Sequence, residues 1–220
     1  MKAIGKRHGT DKVDSHRYDE FYEPILTGMR HTATRVLEFG VFEGASVLMW
    51  RDYFPNAEVH GVDNVEREGT KNFYNAMERN AVDRIVLHRC DQGSDENLTE
   101  LRSKFESETF DFIIDDGSHF NRDQQRTFEI FFPLLKPGGV YCIEDLHCSV
   151  DPEREERNGR PKWRKRTTLA AVKQLEQDGT WEAVNGDDLE VDISQFTEKA
   201  KVHGPPHHIT CSIHRLKICA

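Results

Sequence analysis

Acidic side chains stand together at two points of the chain, each directly after an apolar run. The segment D-D-G-S-H at 115–119 follows F-D-F-I-I, and the pair E-D at 144–145 follows V-Y-C-I. Such runs are typical of buried parallel strands, and ligands bind outside the carboxyl ends of these strands. Carboxylates beside a histidine can hold a hard divalent cation and accept a proton. Taken singly, each acid is equally compatible with a capping or surface role, whereas together they predict a chemical site.

A glycine-containing turn, E-F-G-V-F-E-G-A-S at 38–46, follows an earlier apolar run. Glycines at Gly40 and Gly44 let a ligand approach the backbone, and the helix that follows offers free N–H groups. Phe42 stands where a dinucleotide-binding fingerprint usually has its middle glycine, so the turn alone is a weak signal of nucleotide binding.

Acids also end the next two apolar runs. Asp63 stands where a carboxylate accepts hydrogen bonds from a ribose diol, and Asp91 and Gln92 stand where side chains commonly meet an adenine. Each is an unremarkable strand-end residue by itself. In register with the turn at 38–46, they predict an adenosine-binding site.

Strand and helix patterns alternate from about residue 35 to residue 179, which predicts a parallel sheet with helices on both faces. A helix is predicted from about 122 to 135, and K-P-G-G at 136–139 is expected to end it and lead into the fifth strand. The tail at 207–220 alternates apolar and polar residues, which predicts a strand or the arms of a hairpin.

The 220 residues suit a single domain, 1–220, with a formal net charge of −9. That sign argues against nucleic acid or an anionic membrane as partner. There is no apolar run near the length of a membrane span and no secretory leader. The cysteines show no metal-finger spacing, and we expect a soluble, reduced, cytoplasmic protein. The charged stretch 151–166 predicts a surface loop near the site, either a solvated connection or a mobile lid.

The order of these motifs resembles that of the class I S-adenosylmethionine-dependent methyltransferases. The matching pieces are E-F-G-x-x-x-G, G-V-D, C-D, F-D-x-I-I-D-D-G and L-K-P-G-G, between about residues 35 and 145. A narrower resemblance adds H-G-T-D-K at 8–12 with His16, Tyr18 and Tyr22, and is to the metal-dependent sugar O-methyltransferases of macrolide and polyketide tailoring. The resemblance implies a Rossmann-like α/β fold, with a mostly parallel seven-stranded sheet and helices on both faces.

The resemblance also implies the cofactors and the roles of the site residues. S-adenosylmethionine would be the methyl donor, Mg²⁺ the metal, and a sugar hydroxyl of a glycosylated natural product the acceptor. His119 would be the general base, with Asp116, Glu144 and Asp145 as metal ligands. The residues assigned to the donor site are Glu38, Gly40, Gly44, Ser46, Asp63, Asp91, Gln92, Asp115 and Thr10. Asp115 is placed there because neighbours on an extended backbone face opposite ways.

The amino-terminal residues 1–34 are expected to form a helical segment or lid. The motif G-T-D-K at 9–12, with Tyr18 and Tyr22, is expected to close over donor and acceptor, and packing in the core is the alternative for the two tyrosines. Some members of the resembled family carry a separate amino-terminal domain, which we do not expect here because the first strand begins near Arg35. Oligomers are common among those enzymes, so a homo-oligomer is expected.

Two rival functions stay open. A NAD(P)-dependent oxidoreductase would use the same architecture, although Phe42, Asp91 and Asp116 count against it. A non-catalytic binding protein that keeps the fold is the other rival. Clustered carboxylates count against this second rival, because without a cation they repel one another and destabilise the fold.

Overall fold

The computed structural model describes residues 1–80, 82–151, 153–184, 193, 197–203 and 210–215. Parts of the predicted tail strand, 207–209 and 216–220, lie outside the described residues. Within the described residues, no helix combines the length and the apolar character needed to cross a membrane.

One mixed sheet organises the described residues. Its strands are β1 (Arg35–Phe39), β2 (Glu58–Asp63), β3 (Ile85–Arg89), β4 (Phe110–Asp115), β5 (Leu135–Ile143), β6 (Thr197–His203) and β7 (Thr210–Arg215). The order is β3-β2-β1-β4-β5-β7-β6, with parallel pairing from β3 to β5 and antiparallel pairing of β7 with both β5 and β6. The mostly parallel seven-stranded sheet is confirmed. The strand order reverses between β1 and β4, where such sheets bind ligands.

Helices cover both faces of the sheet. They are α1 (Lys2–His8), α2 (Asp11–Asp14), α3 (Asp19–Leu26), α4 (Ala45–Tyr53), α5 (Glu68–Asn80), α6 (Asp95–Arg102), α7 (Asn121–Phe131), α8 (Arg154–Arg157) and α9 (Thr168–Asp178). Successive residues of β1 pack into two apolar cores on opposite faces of the sheet. Val36 belongs to the core that contains Tyr22 and Trp50, and Leu37 belongs to the core that contains Phe128. This alternation is what a strand buried on both faces requires.

The K-P-G-G segment differs from the sequence expectation. The predicted helix from 122 to 135 ends at Phe131, and a 3₁₀ turn at Phe132–Leu134 carries Pro133. Strand β5 then begins at Leu135 and includes K-P-G-G, with a shift in its pairing register against β4 between Phe110 and Phe112. The segment is therefore the irregular start of a strand rather than a turn that precedes it.

Candidate active site

The glycine turn after β1 lies hard against the turn after β4. Gly40 has φ of 91°, and a Cβ added to it would lie 2.0 Å from the backbone oxygen of Asp116. Only glycine fits this close approach. Asp63, at the end of β2, shapes the same turn, because its Oδ2 accepts hydrogen bonds from the backbone N–H groups of Val41 at 2.9 Å and Phe42 at 3.1 Å.

Three residues assigned to the donor site support that turn from behind. Glu38 is wholly buried and accepts hydrogen bonds from Ser46 Oγ at 2.9 Å and Trp50 Nε1 at 3.1 Å. Burial raises the pKa of Glu38 to about 7. Gly44 begins α4 with φ of 84° and lies against the ring of Phe73. Of these assigned residues, Ser46 reaches the cavity wall.

Gln92 and Asp91, which were predicted to meet an adenine, lie on the cavity wall. Asp115, also assigned to the donor site, is buried beneath that wall. Gln92 Nε2 donates to both carboxylate oxygens of Asp115 at 2.8 Å, while its Oε1 accepts from the Ser118 N–H at 2.8 Å. Burial raises the pKa of Asp115 to about 7. Asp91 accepts from the Gly93 N–H at 2.9 Å.

Two strand ends bring Asp116, His119 and Asp145 together. Their ligand atoms lie within 4.8 Å of one another, and His119 Nε2 is 3.7 Å from Asp145 Oδ2. His119 and Asp145 have φ of 57° and 54°, a left-handed conformation that few non-glycine residues adopt and that histidine and aspartate adopt more often than most. His119 Nδ1 is buried and has no hydrogen-bond partner among the described residues. Carboxylates around such a space suit a hard cation such as Mg²⁺.

Glu144, assigned as a metal ligand, lies deeper than this cluster. It is 1% exposed, accepts a hydrogen bond from Tyr22 Oη, and its Oε2 lies 2.9 Å from Lys12 Nζ. Burial, followed by repulsion from Asp116, raises the pKa of Glu144 well above its usual value. The structure thus gathers Asp116 and Asp145 at the cavity and turns Glu144 inward.

Lys12, in the motif H-G-T-D-K, is a site residue whose partners could not be predicted from the sequence. Its ammonium nitrogen lies 2.5 Å from Asp116 Oδ2 and 3.6 Å from Glu38 Oε1, in addition to its contact with Glu144. Burial lowers the pKa of Lys12, but the attraction of the three carboxylates outweighs it and raises the pKa well above the usual value. The position of Lys12 in H-G-T-D-K indicated that it could belong to the site, but that motif does not predict which side chains it contacts.

The two tyrosines pack in the core, which is one of the two roles that the sequence left open. Tyr18 and Tyr22 are buried in the core, and their hydroxyls donate to Asp145 Oδ1 at 2.8 Å and to Glu144 respectively. Thr10 caps α2 by accepting from the Lys12 N–H at 3.4 Å and also lines the cavity. The amino-terminal segment thus carries helices α1, α2 and α3 and lines part of the cavity.

The loop at 151–166 packs beside the cluster. Glu155, 4% exposed, accepts from Asn121 Nδ2 at 2.9 Å. Arg160 donates to Asp123 Oδ2 at 2.5 Å, and its guanidinium lies 4.3 Å from the centre of the Phe120 ring. Arg154, Asn158 and Arg160 of this segment lie on the cavity wall, while the role of the segment as an active-site loop or lid stays a prediction.

A single cavity of about 740 Å³ joins the two halves of the site, a size typical of small-molecule sites. Its wall runs from Gly40, Asp63 and Gln92 to Asp116, His119 and Asp145. The cavity therefore exposes the strand-end acids of β2 and β4 to the same bound molecule.

The cavity lies at the carboxyl ends of the strands of a doubly wound sheet, which is where such sheets bind ligands. The family described as "Methyltransferase domain" matches residues 37–146, half of the chain. The chain belongs to this methyltransferase family. The methyltransferase resemblance is confirmed, and membership disfavours the oxidoreductase alternative.

Similar proteins narrow the comparison. The chain is 35% identical to 8-demethyl-8-(2-methoxy-alpha-L-rhamnosyl)-tetracenomycin-C 3'-O-methyltransferase of Streptomyces olivaceus, over 69% of this chain and 38% of that protein. It is 32% identical to mycinamicin VI 2''-O-methyltransferase of Micromonospora griseorubida, over 69% and 37%. The chain thus spans about two fifths of the length of these curated relatives. MycE methyltransferase, solved in complex with Mg and SAH, shares the fold with a TM-score of 0.73 and 22% identity, over 98% of this chain and 54% of MycE.

Proposed function

We propose that the protein is an S-adenosylmethionine-dependent, Mg²⁺-dependent O-methyltransferase that acts on a sugar hydroxyl of a glycosylated polyketide or similar small molecule. The observation that carries this proposal is the one cavity that joins the glycine turn to the cluster of Asp116, His119 and Asp145. Both relatives are named as O-methyltransferases, and the tetracenomycin relative is named for a rhamnosyl-bearing compound.

The donor would occupy the half of the cavity at the ends of β1, β2 and β3. Gly40 and Ser46 would receive the methionine portion, Asp63 the ribose, and Asp91 and Gln92 the adenine. Thr10 closes this half from the amino-terminal segment, while Glu38, Gly44 and Asp115 hold the wall from behind. S-adenosylmethionine would supply an electrophilic methyl group on its sulfonium sulfur.

Mg²⁺ would be held by Asp116 and Asp145, which present hard oxygen ligands to the cavity. Glu144 stays proposed as the third ligand on the strength of the family resemblance, and its carboxylate is taken by Lys12 and Tyr22 in this structure. The cation would lower the pKa of an acceptor hydroxyl bound to it.

His119 would take the proton of the acceptor hydroxyl. Asp145, whose Oδ2 lies 3.7 Å from His119 Nε2, stabilises the imidazolium that results. The Tyr18 hydroxyl holds the other oxygen of Asp145 at 2.8 Å and so fixes the orientation of that carboxylate. These residues position the reacting groups, and positioning provides much of the rate enhancement in such transfers.

The organisation of the whole chain is part of the proposal. Residues 1–220 form a single methyltransferase domain, with 1–34 as a lid over the donor and 151–166 as a loop beside the acceptor. The homo-oligomer, the absence of a nucleic-acid or membrane partner, and the cytoplasmic location stay predictions from the sequence.

The first test is calorimetric titration of S-adenosylmethionine into the protein in Mg²⁺ and then in EDTA. We expect saturable binding in both conditions, because the donor half of the cavity does not include the metal ligands. Methyl transfer to a rhamnosylated aromatic polyketide should then require Mg²⁺ and leave the aglycone unmethylated. Absence of donor binding in both conditions would refute the proposal.

A further inference from the structure

One ammonium group joins three strand ends beneath the cavity. Lys12, 1% exposed, comes from α2, whereas Glu38 lies in β1, Asp116 follows β4 and Glu144 follows β5. Its nitrogen lies 3.6, 2.5 and 2.9 Å from the nearest oxygens of these three carboxylates. A single side chain of the amino-terminal segment is thus in contact with the carboxyl ends of three neighbouring strands, β1, β4 and β5.

These contacts offset part of the negative charge that is buried here. Glu38 and Glu144 are at most 1% exposed, and together with Asp116 they lie within 3.6 Å of the same ammonium nitrogen. Carboxylates brought this close repel one another strongly in a low-dielectric interior. Leaving a buried charge without its partner is strongly destabilising. The Lys12 ammonium offsets this repulsion without any bound metal.

We propose that Lys12 is a positioning residue that acts as the internal counter-ion of the metal site. Its ammonium holds Asp116 and Glu144 in place when no divalent cation is bound. The metal-free protein therefore keeps an assembled site, and Lys12 and the cation stabilise the same carboxylates. The proposal rests on the metal site of the proposed function and adds a residue to it.

The test measures melting temperature in EDTA and in millimolar Mg²⁺ for the full chain and for Lys12→Met. In EDTA, we expect Lys12→Met to melt roughly 6–20 °C below the unsubstituted protein, given the usual effect of breaking a buried pair. Mg²⁺ should restore at least half of that loss, because it neutralises the same carboxylates. The variant Lys12→Arg keeps the charge and should keep most of the melting temperature in EDTA.

The matched control is Lys136→Met. Lys136 Nζ lies 2.9 Å from Asp111 Oδ2 at the amino-terminal ends of β4 and β5, away from the cavity. The decrease in melting temperature of this variant should therefore be equal in EDTA and in Mg²⁺. Equal losses for Lys12→Met in the two conditions would overturn the proposal, since they indicate packing alone. Should Lys12→Met not fold, the double variant with Glu144→Gln removes one charge of each sign and should fold. Failure of that variant to fold would also refute the counter-ion role.

The outcome can be separated from that of the proposed function. Titration of S-adenosylmethionine tests the methyltransferase assignment, and among the described ion pairs Glu38 is the one donor-site residue that pairs with the Lys12 ammonium. Donor binding together with a melting temperature that Mg²⁺ changes in neither protein would retain the methyltransferase and refute the counter-ion proposal.

Discussion

Gln92 and Asp115 form a buried side-chain contact that joins the chain after β3 to the end of β4. The Gln92 amide nitrogen lies 2.8 Å from both carboxylate oxygens of Asp115, and Asp115 is wholly buried. Asp115 therefore lies behind the cavity wall and contacts Gln92, which itself lines the cavity.

Gln92→Ala should weaken S-adenosylmethionine binding about tenfold, because Ser118 and Asp115 both lose a hydrogen-bond partner and the cavity wall loosens. Calorimetric titration measures the change. Gln174→Ala is the control, since Gln174 bonds only to exposed Thr180 among the contacts described. An unchanged affinity in Gln92→Ala would remove Gln92 from the donor site.

His119→Ala should lower turnover by a factor on the order of 10² to 10⁴, the usual contribution of a general base, while the donor Kd stays unchanged. Steady-state methyl transfer and donor titration measure the two quantities, and exposed His31→Ala is the control. A comparable loss of donor affinity would show that His119 does not act as the base.

Asp116→Asn and Glu144→Gln should also abolish turnover, but they should alter stability in EDTA as well, because Lys12 contacts both.

Tyr18→Phe should reduce turnover about fivefold, because Asp145 loses the hydroxyl that orients it, a loss of about 1 kcal/mol. Tyr74→Phe is matched to it: the Tyr74 hydroxyl donates to the His88 backbone oxygen at 2.8 Å, also from a buried ring. Both variants should lose similar stability in thermal melts, and only Tyr18→Phe should lose turnover. Equal turnover in the two would argue against an orienting role for Tyr18.

Arg160→Ala should raise the KM of the acceptor and leave donor affinity intact, because Arg160 lies over Phe120 beside the proposed base. Arg157→Ala, in the same loop, removes an exposed arginine that pairs with Asp151 and should change neither constant. Saturation kinetics with each substrate separates the effects. A rise in the KM of the donor instead would show that this loop lies beside the donor half of the cavity and not beside the acceptor half.

Stability should decline as the pH falls from about 6.5 toward 4. Burial, with smaller contributions from His60 and Lys104, lowers the pKa of His88 to about 4, whereas an unfolded histidine titrates near 6.5. Between those values the unfolded chain binds more protons, so acid favours unfolding. His88→Gln should reduce this decline by about 1 kcal/mol after solvent screening is allowed for. Urea unfolding at pH 7 and pH 5 checks the difference, and an unchanged slope would contradict it.

The strand-end acids were predictable because parallel strands place their carboxyl ends at one edge of a sheet. Asp63, Asp91, Asp116 and Asp145 follow apolar runs that the sequence shows directly. The inward turn of Glu144 was not predictable, because its partner Lys12 lies 132 residues away along the chain. That partner also weakens the argument that clustered carboxylates need an external cation, since the fold supplies one.

Local patterns failed where tertiary pairing decides the backbone. K-P-G-G is a common helix stop, yet here its residues pair with β4 as the irregular start of β5. Helix α5 (Glu68–Asn80) was not assigned from the sequence, and its buried face rests on few residues, among them Phe73 and Tyr74. At K-P-G-G the sheet selects the conformation.

A Cβ added at Gly40 would lie only 2.0 Å from the backbone oxygen of Asp116, so the two halves of the site share one wall of backbone. No side chain can be introduced on the donor side of that wall without displacing Asp116 on the acceptor side. Engineering of acceptor range must therefore leave the central turns unchanged and work at the rim. Arg154, Asn158 and Arg160 belong to a separate stretch of chain on that rim, so substitutions there leave the shared wall intact.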